Sequence, residues 1–321
     1  MTLREGEGVI SDDLAPLQAP RIFRFTDVDE FRSSIRDLSV DFTPLVRAIA
    51  AEQSILSLPG CEVNFTKSFP RITDAQLGPD CTAVGFSMDD GAPIRFNGVE
   101  RDDTVITMGG GGATYSSVER TPRQYVSIIF RPEITNRGWP QTGANFHLFE
   151  ASRDTFLKLR RLVRKIFATA SEIGGLPGTG NIALAMRESL LSAIDSAVAE
   201  FVPARWTSLA NASRQIKIFK DIEAALAGHV GEVIYSEELA NHIGVSVRTM
   251  HDAVQRYRGM SLHRYLRLRR LWLVRRRLVT GAESVKAAAL AYGFWHLGDF
   301  AQAYREQFGE MPSETLARSR R

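Results

Sequence analysis

The sequence predicts an α+β chain: a β-rich first half, a pair of helices, and an all-helical C-terminal third. Three observations carry this. Short runs rich in Val, Ile, Thr and Phe recur between residues 20 and 150 with rough alternation, the pattern of half-buried strands. From residue 152 the apolar positions recur at helical spacing instead, and from Gln215 onward no other pattern occurs. The charge divides in the same way. Residues 205–321 hold 19 Lys and Arg against 11 Asp and Glu, whereas residues 1–204 hold 21 against 26. An acidic first part and a basic last part imply a different partner for each.

The strand candidates are CEVNFTKSF (61–69), CTAVGFSM (81–88), DDTVITM (102–108) and QYVSIIF (124–130). Turn chemistry separates them: LGPD, DDGAP, FNGVE and GGGG. Many short strands at regular spacing form a sandwich or a small barrel. An early helix is predicted over 28–38, where Thr26 can cap and Glu30 follows.

Two further helices are predicted over 152–172 and 181–201. Ser152 caps the first, and Phe156, Leu159, Leu162, Val163 and Ile166 line one face; Leu184, Leu190, Leu191, Ile194 and Val198 line the second. The breaker GGLPGTG (174–180) joins them as a hairpin, which packs on its own domain or on a copy of itself. VPARWTSLANASR (202–214) reads as a linker. Helices are then expected over 214–227, 236–243, 247–257, 261–279, 284–292, 297–307 and 312–318.

The bulk properties narrow the function. A chain of 321 residues with 44% apolar content can build two or more cores. It has no run of about 18 apolar residues, so no membrane span is expected. The polar start lacks an apolar signal core, which points to the cytoplasm. Cys61 and Cys81 suit small buried hydrophobes better than a redox pair. Residues 1–204 contain one histidine, His147, too few for a histidine-held catalytic metal, so neither enzyme activity nor a cofactor is expected. MGGGG (108–112) is followed by no GK[ST] and reads as a tight turn, not a phosphate loop.

The C-terminal third contains a repeat. ELANHIGVSVRTMHDAVQRYRG ends at Gly259, and AALAYGFWHLGDFAQAYREQFG ends at Gly309. Ala240 precedes Gly244 by four residues, as Ala289 precedes Gly293. Met250, Val254 and Gly259 match Phe300, Tyr304 and Gly309 fifty residues on. The small residue permits close helix approach, the glycine ends the first helix in a left-handed conformation, and a second helix starts at once. That is a helix-turn-helix, whose second helix needs one apolar strip and leaves the other face free for a major groove. Arg248, Thr249, His251, Asp252 and Gln255 are left outward in the first unit, and Leu297, Gly298 and Gln302 in the second. The helix between them spans about 28 Å at 1.5 Å per residue. That compares with about 34 Å for one turn of duplex. Between Ser246 and Thr280 stand ten arginines and one acid, Asp252. Such a density of one sign calls for a neutralising partner, and a phosphate backbone supplies one.

These segments resemble the C-terminal domain of the AraC/XylS family of bacterial transcription regulators. The matching pieces are LANHIGVSVRTM, RGMSLHRYLRLRRL and LAYGFWHLGDFAQAYREQFGEMPSETL, about 105 residues in all. One departure is Trp295, where the family has a small polar residue after the GF pair; His296 is then the candidate helix cap, and the tryptophan is expected to pack between the units. The resemblance implies base readout by the outward residues. Arg248 suits guanine, Gln302 adenine and Leu297 a thymine methyl, with His251 and Asp252 as further contacts and Thr249, Gln255, His296 and Gly298 beside them. Arg256, Arg258, Arg267 and Lys286 are expected on phosphates.

The resemblance also implies an N-terminal cupin-like β-barrel over 1–150 that binds an effector. A dimerising hairpin over 151–204, a linker over 205–213 and the DNA-binding domain over 214–321 follow it. Candidate pocket residues are Phe65, Phe69, Phe86, Phe96, Met108 and Tyr115, with Arg71 or Arg95 anchoring a carboxylate. The expected protein is a homodimeric activator with double-stranded DNA, a small-molecule effector and RNA polymerase as partners. Two alternatives stand beside it: a DNA-binding regulator without a ligand, and a cupin-type enzyme fused to a DNA-binding module.

Overall fold

The computed structural model describes residues 15–90, 93–101, 104–140, 146–200, 209–228 and 235–320. In chain order the first half runs β1 (Arg21–Phe25), α1 (Val28–Ser34), β2 (Leu38–Pro44), β3 (Ala51–Leu58), β4 (Cys61–Ser68), β5 (Arg71–Leu77) and β6 (Thr82–Ser87). It continues with β7 (Ile94–Phe96), β8 (Val99–Arg101), β9 (Val105–Gly109), β10 (Thr114–Glu119), β11 (Arg123–Phe130) and β12 (His147–Glu150). The hairpin is α2 (Arg153–Ile173) and α3 (Gly180–Ala199). The last third holds α4 (Leu209–Gly228), α5 (Ser236–Ile243), α6 (Val247–Arg258), α7 (Leu262–Val279), α8 (Val285–Ala291), α9 (Leu297–Phe308) and α10 (Pro312–Ser319).

The strands form two open antiparallel sheets, not a closed barrel. The larger has the order β1-β3-β4-β11-β6-β9-β12 and the smaller β2-β5-β10-β7-β8. This corrects the barrel expectation. Among the described residues no strand of the smaller sheet, which ends on the three-residue strands β7 and β8, pairs with a strand of the larger one. Leu77, Cys81, Ala83, Phe96, Ala113, Ile129 and Phe146 form one apolar cluster between the sheets. The MGGGG turn carries the chain from β9 in one sheet to β10 in the other, with Gly112 at φ 78°.

The opposite face of the larger sheet is covered by the hairpin. Phe156, Leu159, Val163, Ile166, Leu190, Leu191 and Ile194 are buried there against Leu56, Val63, Val84 and Ile128. The main apolar faces predicted on these helices are therefore consumed within the chain. Cys61 lies in this cluster and burial pushes its thiol up to about 12; Cys81 lies in the inter-sheet cluster.

Helix ends differ from expectation in two places. α1 stops at Ser34, and Asp27, not Thr26, caps it: its Oδ1 accepts from the amides of Asp29 and Glu30 at 2.8 and 3.1 Å. The shorter carboxylate loop at Asp27 reaches two amides at once, which favours it over a hydroxyl one residue further out. α4 begins at Leu209, inside the stretch read as a linker; residues 201–208 lie outside the described residues. Among the described residues no helix is long and apolar enough to cross a membrane.

Candidate nucleic-acid interface and inter-sheet cavity

The repeat predicted from the sequence folds as two matching units, α5–α6 and α8–α9. Gly244 and Gly293 have φ 75° and 74°. The carbonyl of Ala240 accepts from Val245 N at 3.0 Å, and that of Ala289 from Phe294 N at 3.0 Å. Met250 and Val254 in the first unit, and Phe300 and Tyr304 in the second, are buried. Gly259 and Gly309 end both second helices in the left-handed region, at φ 64° and 75°. α7 joins the units, and its 18 residues make a rod of about 27 Å.

The starts of the two second helices differ. Ser246 Oγ accepts from Thr249 N at 3.1 Å and caps α6. His296 occupies the equivalent position on α9 without a side-chain cap bond, so it does not replace the missing small polar residue. An imidazole is too long to fold back onto the amide two or three residues ahead. Trp295 is 66% exposed and does not pack between the units, which corrects that expectation.

Of the predicted contacts, Arg248, His251, Asp252, Gln255 and Arg256 on α6 are exposed, and Thr249 is half-buried beside Ser246. Arg267 on α7, Lys286 on α8, and His296, Leu297, Gly298 and Gln302 at α9 are exposed as well. Gln302 Nε2 donates to Glu306 Oε1 at 2.9 Å along its own helix.

Arg258 does not belong with them. It is 0% exposed, and its guanidinium lies between the rings of Phe219 and Tyr265. Nη1 donates to Ser116 Oγ and Nη2 to Asp74 Oδ2, each at 2.7 Å, with Glu223 Oε2 at 3.4 Å. A fully desolvated arginine persists only with such partners, and it cannot reach a phosphate from there. Other charges in the arginine-rich stretch also find acids outside it: Arg269 meets Glu223 at 3.3 Å and Arg275 meets Glu310 at 2.5 Å. Phosphate is thus not the sole counter-charge for this stretch.

The sheets hold the C-terminal ends of both second helices. Arg95 donates to the carbonyls of Gln255 and Arg256 at 2.9 and 2.7 Å, and Arg120 to that of Gly259 at 2.7 Å. On the second unit Arg47 donates to Glu306 O at 2.6 Å, and Gln307 Nε2 to Pro44 O at 2.9 Å. Cations at these carbonyls also meet the negative end of each helix dipole. Gly98, at φ 77°, lies under Tyr257: a Cβ there would stand 2.9 Å from the ring. Ile72 and Val118 join the core of the helical domain, and Trp272 on α7 reaches the cluster around Phe31 and Phe42. The predicted base-reading residues at the start of each helix are left facing outward.

A cavity of about 120 Å³ lies between the sheets. Of the predicted pocket residues, Arg71, Phe96 and Tyr115 line it; Phe86 borders it, but its ring packs on Phe156 of α2. Phe65 packs on Phe167 of α2, Met108 is buried in the hairpin-side core, and Phe69 packs on Phe31. Arg95 points to α6 instead, since strand alternation sends it away from its cavity-lining neighbours Ile94 and Phe96. Sequence reading missed Ser117, Glu119, Arg123 and Tyr125. Their signal was present for two of them: Tyr115, Ser117 and Glu119 share one face of a strand at a spacing of two.

Arg71 is 2% exposed and well partnered. Nε donates to Thr73 Oγ1 at 3.1 Å, Nη1 to Phe69 O at 3.2 Å and Nη2 to Tyr125 Oη at 3.3 Å, with Glu119 Oε2 at 3.4 Å from Nη1. Burial pushes the phenols of Tyr115 and Tyr125 up, so both stay protonated. β5 and β10 pair Arg71 with Glu119 and Asp74 with Ser116. The first pair faces the cavity and the second receives Arg258. A single sheet separates the cavity from the α5–α6 unit.

Comparison with known proteins bears on the helical domain. Residues 239–318 match the family described as a helix-turn-helix domain. Over 102 residues the chain is 36% identical to the XylDLEGF operon transcriptional activator 2 of Pseudomonas putida, covering 31% of this chain and 65% of that protein. Over 91 residues it is 32% identical to the transcriptional activator RhaS of Escherichia fergusonii, covering 28% of this chain and 33% of RhaS. The chain thus spans less than two thirds of the length of these relatives. Among solved structures, a probable AraC family transcriptional regulator from Rhodopseudomonas palustris is 39% identical over 32% of this chain and 97% of its own, with a TM-score of 0.29. The AraC-like activator CuxR is 13% identical over 78% of this chain and 94% of its own, with a TM-score of 0.43.

Proposed function

Because the chain belongs to the AraC/XylS family of transcription regulators, we propose that it is a sequence-specific DNA-binding activator whose N-terminal unit senses a small molecule. The observation that carries this is the duplicated unit. Two helices, each pinned by an apolar strip and by a left-handed glycine before and after it, leave their first turns exposed with side chains suited to base edges. α7 has the length to set them in successive major grooves.

In this reading residues 1–150 sense, 151–204 dimerise and 214–321 read DNA, with α4 reaching back to Leu209. The protein acts in the cytoplasm with RNA polymerase as its further partner. The exposed Leu157, Leu176 and Ile182 remain on the hairpin for a second copy after its other face is buried. The sensing step acts through β5 and β10, which carry cavity residues on one face and the partners of Arg258 on the other. An effector that favours one placement of this ribbon shifts the population of the helical domain with it.

Selection of bound duplexes from a random pool, followed by footprinting, tests the reading. Two protected segments about one helical turn apart per protomer are expected. Enrichment of no sequence, with binding governed by salt alone, overturns it.

A further inference from the structure

The cavity between the sheets has a polar end whose needs differ from those suggested by a buried arginine alone. Arg71 already serves Thr73, Phe69 and Tyr125 and lies against Glu119. Arg123, which also borders the cavity, donates to Ser87 Oγ at 3.2 Å. Glu119 Oε2, on a residue only 6% exposed, accepts no hydrogen bond among the described residues and is held only by the ion pair to Arg71 Nη1 at 3.4 Å. A buried carboxylate oxygen held by an ion pair of that length without a hydrogen bond keeps acceptor capacity, and an incoming donor would fill it. A ligand carboxylate would place a second negative charge against it.

The rest of the wall is apolar and aromatic. Phe96 and Tyr115 stack at 5.2 Å, Phe146 meets Tyr115 edge-on at 5.1 Å, and Val105 and Leu148 border the sides. The volume is on the scale of one ring: an apolar cavity of about 150 Å³ takes up benzene.

We propose that this cavity binds a one-ring apolar molecule carrying a hydroxyl or amino group, with Glu119 Oε2 accepting the hydrogen bond. The proposal rests on the reading of the N-terminal unit as a sensor and names its ligand chemistry. Glu119 and Arg71 stand opposite each other on β10 and β5. A ligand drawing on Glu119 therefore acts on the ribbon that also holds Arg258.

Calorimetric titration of the full chain with phenol, toluene and benzoate tests it. Phenol is expected to bind one to one, toluene about tenfold more weakly for want of a donor to a charged acceptor, and benzoate not at all. Glu119→Gln is expected to weaken phenol about tenfold. Should that variant fail to fold, Ser117→Leu fills the cavity while leaving the Arg71–Glu119 pair in place, and is expected to abolish phenol binding. Benzoate binding tighter than phenol, toluene binding equal to phenol, or phenol binding that survives Ser117→Leu would each overturn the proposal. So would an absence of phenol binding, and if the same protein still selects duplex DNA, the regulator reading stands without this site.

Discussion

Arg258 of α6 and Asp74 of the smaller sheet share a hydrogen bond of 2.7 Å, although 184 residues separate them. Asp74 stands opposite Ser116 in the β5–β10 register, and both accept from the same guanidinium. One position further along each strand, Thr73 and Ser117 turn to the other face. Two units of different charge and fold class thus share a buried cation, beside the surface contacts made by Arg95, Arg120 and Arg47.

Arg258 and Arg267 should separate in a salt titration. Arg258→Ala leaves Asp74 partly exposed to water and Glu223 still paired with Arg269, so the lost hydrogen bonds and the lost packing between Phe219 and Tyr265 should cost about 1–3 kcal/mol of stability. Its folded fraction should nevertheless show the wild-type salt slope on duplex DNA. Arg267→Ala should cost little stability but shallow the slope by about one unit, as expected for an exposed phosphate contact. Equal slopes in wild type and Arg267→Ala would remove Arg267 from the phosphate contacts.

Arg248→Ala should cost about 1–3 kcal/mol at one base position and leave the others unchanged. Selection of preferred sequences by wild type and variant measures this directly. A uniform loss across all sequences would make Arg248 a backbone contact.

Gly98→Val tests the docking of the helical domain. The left-handed φ of 77° disfavours a branched side chain, and its Cβ would meet the Tyr257 ring. Faster amide exchange is expected at residues 255–259, where Arg95 and Arg120 hold the carbonyls, while β4 and β11 in the larger sheet keep their protection. Unchanged exchange at 255–259 would show that the contact holds nothing in place.

Glu310 should make the second unit acid-sensitive. Burial raises its carboxyl, but hydrogen bonds from Thr315, Arg275 and Arg318 outweigh this and hold it below its ordinary value of 4.5. A depressed carboxylate stabilises fully above the unfolded value, and that stability is lost as pH falls through the folded one. Glu310→Gln should therefore lower stability by about 1–2 kcal/mol at pH 7 and by much less at pH 3. Chemical denaturation at the two values decides it; an equal loss at both would assign the effect to packing.

Much of the reading domain was legible in the primary structure because its determinants are local. Helical periodicity, a small residue and a glycine four positions apart define each unit within some twenty residues, and both glycines take the left-handed conformation that the motif requires. The alternation that puts Phe96 and Tyr115 in one cavity is local too. The chain could not announce, from sequence, what each strand face would meet. Arg95 and Arg258 look like a ligand anchor and a phosphate contact until residues more than a hundred positions away occupy them. Whether the sheets close was equally a matter of long-range pairing. Tertiary structure decided these points because the partner of a buried charge, unlike the turn of a helix, is set by packing between segments that sequence proximity does not relate.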